Sequence, residues 1–130
     1  MMLHFQRLFE LLAEGNRPWC AHAGALIVVL SKKTFDNGSP TRTHSYDTGA
    51  AWMSLALQAS QMGLVAHGMA GFDYDRARVD LGVPADYAVE AMIAVGHPGR
   101  VEDLPESHRH REVKSTRRPV QELVFEGKFA

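Results

Sequence analysis

The chain has 130 residues, a formal net charge of −1, 45% hydrophobic and 22% charged residues. That balance suits one packed domain, 1–130, and leaves no global field to recruit nucleic acid or an anionic membrane. The longest apolar run, residues 23–30, is far short of the ~20 residues that cross a bilayer. One cysteine, Cys20, excludes an intramolecular disulfide and fits a reducing compartment; with no secretory pattern read at the start, the expected location is the cytoplasm.

Leu3, Phe5, Leu8, Phe9, Leu11 and Leu12 recur near helical spacing, and Gly15-Asn16 with Pro18 supplies a stop. This predicts a helix over 3–14. Residues 16–23 have room for one further turn. Ala25 to Leu30 is an unbroken β-branched and leucine run, the pattern of a strand buried on both faces. The following KKTFDNGSPTRTHSY is rich in turn-forming residues and reads as a loop.

Asp47-Thr48 is placed to cap a helix over 48–62, and Gly63 to stop it. Trp52, Leu55, Ala56, Ala59 and Met62 form one apolar stripe, but Met53 and Leu57 lie on another face. A helix apolar on more than one side is buried or packs on a second subunit. Residues 64–69 read as a second strand. Asp73 caps a helix over 73–81, which Gly82-Val83-Pro84 closes. Residues 87–95 form a third strand, interrupted by Glu90 in the manner of a polar contact or an edge. HPGRVEDLPESHRHREVKSTRRP is charged and proline-punctuated, hence an extended surface segment. Residues 120–125 read as a last strand. The order predicts an α/β or α+β sheet domain with helices packed on it.

The common nucleotide, zinc and acyl-transfer signatures GxGxxG, GxxxxGK[ST], HExxH and GxSxG are absent, and no acid–base side chain stands out as catalytic. His108 and His110 sit two apart in a charged loop, where metal ligation would need a third partner from elsewhere; the sequence nominates no metal site. Cys20 has no CxxC partner or local base and reads as a buried small residue. Two stretches attract interest. HGMAGF, residues 67–72, has glycines that let backbone approach another body closely. KSTRRP, residues 114–119, gathers cations, and arginine offers a fork that fits phosphate. Either alone reads as an ordinary turn or surface patch.

Together with the rest of the chain, these stretches resemble the nitroreductase family. The matching motifs are NRPW (16–19), ALIVVL (25–30), YDTGAAWMSLALQASQMGL (46–64), MAGFD (69–73), LGVP (81–84), AVGHPG (94–99) and RRPVQELV (117–124). They follow the order of the family's C-terminal portion, so the resemblance implies an α+β fold, a mixed sheet with flanking helices, without the N-terminal FMN-binding half: a fragment, a naturally truncated relative, or one piece of a split protein. It also implies a homodimer binding FMN, with NAD(P)H as hydride donor and a nitro compound or quinone as acceptor in a ping-pong cycle. The loop Gly68, Met69, Ala70 and Gly71 would lie against the flavin ring, with a main-chain N–H near its N5. Arg117, and with a one-place offset Lys114, would meet the FMN phosphate. A cofactor-free dimerisation or interaction domain of the same fold is the alternative.

Overall fold

The computed structural model describes residues 2–129, and the chain divides after Arg100 into two compact units. The first contains α1 (Met2–Phe9), α2 (Arg17–Cys20), β1 (Ala25–Lys32), α3 (His44–Gln61), β2 (Val65–Met69), α4 (Tyr74–Asp80) and β3 (Tyr87–Gly96). Its strands form one sheet in the order β1-β3-β2, and both pairings are antiparallel. The expected α+β arrangement of a sheet with flanking helices is therefore what the chain forms.

The two faces of the sheet are covered differently. Leu26, Met69, Met92 and Ala94 point to one face, where they close a core with Leu11, Leu12, Cys20, Phe72 and Ala77. The other face carries Gly68 and its partner Ile93, and α3 lies over β1 and β2 there. Cross-strand partners share a face, so the Trp52 ring, 3.0 Å from where a Cβ on Gly68 would be, fixes which layer α3 occupies. Between Val29↔Ala91 and Leu30↔Val89 the register slips, leaving Glu90 without a partner on β1. Such a bulge re-aims a side chain, and it turns Glu90 toward α3 although Val89 packs with the opposite core.

Several expected boundaries move, each for a tertiary reason. The first helix stops at Phe9, not at residue 14. Leu11 and Leu12, each 2% exposed, leave the helix because their backbone is taken up elsewhere. The Leu11 carbonyl accepts from the Asp73 amide, and the Ala13 amide donates to the Gly71 carbonyl. β1 is an edge strand, not one buried on both faces, and Ile27 and Leu30 remain 37% and 38% exposed. α3 begins at His44, four residues before the expected start, so Asp47 sits within its first turn. β3 runs down the middle of the sheet, which makes Glu90 a polar contact and not an edge marker. α4 matches expectation: Asp73 is its N-cap, the carboxylate accepting from the Arg76 amide at 2.9 Å, and Gly82 ends it at φ +62°.

The second unit has little regular structure. It holds a 3₁₀ turn at Val101–Asp103, α5 (Glu106–Arg109) and a 3₁₀ turn at Val120–Glu122. The strand expected over 120–125 is not formed. Among the described residues it has no strand to pair with, and the Arg118–Glu122 pair at 3.1 Å favours a helical turn instead. Val120, Leu123 and Val124 stay exposed. Arg109 ties the segment to itself by donating to the carbonyls of Leu104 and Glu102, both at 2.9 Å.

Candidate functional site

The loop after β2 is built by the neighbours that its glycines admit. A Cβ on Gly68 would stand 3.0 Å from Trp52 Cζ2, and one on Gly71 only 2.5 Å from Asn16 Nδ2. Neither glycine has a positive φ, so close approach, and not backbone conformation, is what requires them. Met69 is buried and receives the Cys20 thiol at 3.8 Å. Burial pushes the Cys20 thiol up to about 12, which keeps it protonated and unreactive.

From Gly71 onward the loop is tightly held. The Gly71 carbonyl accepts twice, from the Ala13 amide at 2.9 Å and from Asn16 Nδ2 at 2.9 Å. The Phe72 amide donates to the Ala70 carbonyl at 3.0 Å. The Phe72 ring stacks on Tyr74 with centroids 4.1 Å apart, and an isolated bridge joins Leu12 to Phe72. Among the described residues, however, no acceptor is found for the amide N–H of Ala70 or of Gly71. Two successive main-chain donors at a partly open loop can hold an electron-rich ring atom without introducing a group that titrates.

Gly68, Met69, Ala70 and Gly71 thus form one continuous element of the first unit. Lys114 and Arg117 belong to the second unit, where both are exposed. Among the described residues neither makes an ion pair, and Arg117 Nη1 donates to Ser115 Oγ. An ammonium and a guanidinium without carboxylate partners would be costly in a core but are ordinary on a surface; Lys114 and Arg117 are cations of that surface kind, open to an anion. No cluster of three or more His, Cys, Asp or Glu side chains suited to a metal is found among the described residues. A shallow groove of about 340 Å³ beside the loop is lined by Glu10, Leu12, Ala13, Arg17 and Arg76 among others. Its two guanidinium groups are already committed, both to the Glu10 carbonyl.

A second polar centre lies under the start of α3. Ser31, 3% exposed, donates to Glu90 Oε1 at 2.5 Å, and Ser45 donates to the same oxygen at 2.7 Å. These two hydroxyls, Ser31 first, hold the Glu90 carboxyl below its usual range. An ionised carboxylate only accepts, so both hydroxyl hydrogens point at Glu90. The serine oxygens must then accept from His44 Nδ1, at 2.8 Å from Ser31 and 3.2 Å from Ser45, which places the imidazole proton on Nδ1. Thr43, the N-cap of α3, makes no side-chain cap bond. Glu90 supplies negative charge to that helix start instead.

The sequence drew attention to the loop and the basic cluster but missed Asn16, Trp52 and the Ser31–His44–Ser45–Glu90 group. A carboxylate inside an apolar strand was the available signal for the last of these. Its partners lie on two other elements, so spacing could not name them.

Comparison with known proteins gives a consistent result. The model of the nitroreductase family matches residues 3–97. An uncharacterised 15.4 kDa protein of Mycolicibacterium smegmatis is 33% identical over 129 residues, 96% of this chain and 84% of its own length. A solved oxidoreductase containing FMN is 41% identical with a TM-score of 0.90, over 97% of this chain and 66% of that one. A protein of Desulfovibrio desulfuricans solved in complex with FMN is 25% identical with a TM-score of 0.62, over 96% of this chain and 66% of that one. The chain therefore spans just under two thirds of the length of these two solved proteins. No helix among the described residues is long and apolar enough to cross a membrane.

Proposed function

The chain belongs to the nitroreductase family, and from that premise we propose that it is an FMN-dependent oxidoreductase. It takes hydride from NAD(P)H and reduces nitro compounds or quinones in a ping-pong cycle. The observation that carries this reading is the pair of adjacent amides, Ala70 and Gly71, left without acceptors among the described residues in a loop whose next two amides and whose Ala70 and Gly71 carbonyls are bonded. Bound FMN supplies a ring that accepts hydride at N5 and passes it on.

The chain's own contribution is positional and electrostatic. With FMN bound, the Ala70 and Gly71 amides would be the groups that donate to the ring, and such donors would favour added electron density on the atom they meet. Met69, packed on Cys20, would brace that loop under a bound ring. No side chain from Gly68 to Gly71 titrates, so the donors stay unchanged across pH. In the second unit, Arg117 offers charge and fork geometry to a phosphate, and Lys114 a point charge. The protein works as a homodimer, with Met53 and Leu57 on the outer side of α3, 55% and 59% exposed, as the surface that a second copy covers.

The test is an absorbance spectrum with an FMN titration of the purified chain. Flavin bands and saturable uptake support the reading; a colourless protein that takes up no FMN overturns it. That second outcome favours a cofactor-free interaction domain, a reading to which the exposed Met53 and Leu57 also lend weight.

A further inference from the structure

We propose that Asn16 is a positioning residue for the flavin-facing loop, an inference that rests on the function proposed above. Asn16 is joined to two elements at once. Its backbone carbonyl accepts from the Cys20 amide at 3.1 Å, closing α2, while its side-chain amide donates to the Gly71 carbonyl at 2.9 Å. The peptide between Gly71 and Phe72 is consequently held at both ends: its oxygen by Ala13 and Asn16, its N–H by the Ala70 carbonyl. With that peptide fixed, the loop that carries the open N–H groups of Ala70 and Gly71 is pinned at its C-terminal end.

The same contact explains why residue 71 is glycine. Its φ is not in the left-handed region, so alanine would fit the backbone, yet its Cβ would lie 2.5 Å from Asn16 Nδ2, with the next nearest atoms, Asn16 Cγ at 3.5 Å and Ala13 Cβ at 3.7 Å, at ordinary contact distance. Asn16 and Gly71 therefore form one unit. Removing the amide by Asn16→Ala, or displacing it by Gly71→Ala, undoes the same bond, and once it is gone the second change has nothing left to disturb.

The test is a cycle of Asn16→Ala, Gly71→Ala and the double variant, read in two ways. In the flavin-free protein, amide exchange at Phe72 and Asp73 should quicken about fivefold in each single variant, the scale of one hydrogen bond lost, while β3 amides keep their protection. FMN affinity of the folded protein should fall about fivefold in each single variant and no further in the double. Single effects that multiply to about 25-fold in the double would overturn the assignment. So would FMN affinity within about twofold of the parent in Asn16→Ala. Should the parent chain itself take up no FMN, the proposed function falls and this assignment with it, an outcome distinct from the other two.

Discussion

Glu90 offers a sharp test of how the sheet holds α3. In Glu90→Ala the two serine hydroxyls lose their acceptor, and the Ser31 hydroxyl, in a residue 3% exposed, keeps only His44. Hydrogen bonds to a charged group contribute about 1.5–3 kcal/mol each. Two such bonds share one carboxylate that is itself partly desolvated, so the expected loss is about 2–4 kcal/mol. For a chain of this size that lowers Tm by roughly 6–16 °C. Glu90→Gln keeps the shape and one acceptor and should cost about half as much. The sign of the pH dependence follows from the lowered carboxyl. Its stabilisation is complete above the unfolded value of about 4.3 and is lost as pH falls through the folded one. Urea denaturation of parent and Glu90→Gln at a series of pH values from neutral downward measures the gap directly. It should be constant above about pH 5.5 and narrow below it. A gap that stays flat to low pH, or an alanine variant as stable as the parent at neutral pH, would refute the anchor.

Three further outcomes are expected. Cys20, fully buried with a thiol pushed up to about 12, should resist a thiol-specific reagent at pH 8 and react fully only in denaturant; rapid reaction of the native protein would contradict the packing. Arg117→Ala should weaken FMN binding about tenfold, the scale of one charge-assisted contact to phosphate, without moving Tm by more than about 1 °C, since its side chain is exposed; an unchanged titration would remove it from the site. Leu57→Arg, on the outer side of α3, should shift the protein from dimer to monomer in sedimentation while its circular dichroism stays that of the parent; an unaltered mass would move the interface elsewhere.

What could be read in advance was what is decided locally. Asp73 caps α4 through an amide three residues away, and Gly82 stops it through its own φ, so both were legible. The glycines of HGMAGF correctly announced close approach but could not say to what, because Trp52 and Asn16 come from other elements, Asn16 being 55 residues away. The first helix looked longer than it is because Leu11 and Leu12 keep helical spacing while their backbone pairs with residues 71–73. α3 starts earlier than the plausible local cap Asp47-Thr48 suggests for a similar reason: Glu90 on β3 receives the Ser45 hydroxyl in the first turn of the helix, a contact that sequence spacing cannot show. β1 has the composition of an interior strand, and only the strand order shows it to be an edge. The apolar run at 120–125 has strand composition without a partner among the described residues, and composition alone does not make a ladder.

The bulge at Glu90 also bears on how the chain tolerates changes of length. Pairing between β1 and β3 resumes on either side of it, at Val29↔Ala91 and Leu30↔Val89. Deleting Glu90 would close the ladder and leave Val89, Met92 and Ile93 in their present layers. Deleting Ile93 would instead turn the remainder of the strand over, since alternate residues exchange faces with each one-residue slip. A relative could therefore shorten this strand by one residue at the bulge and keep its core, losing only the tether of α3. Strand length and the grip on that helix are expected to vary together.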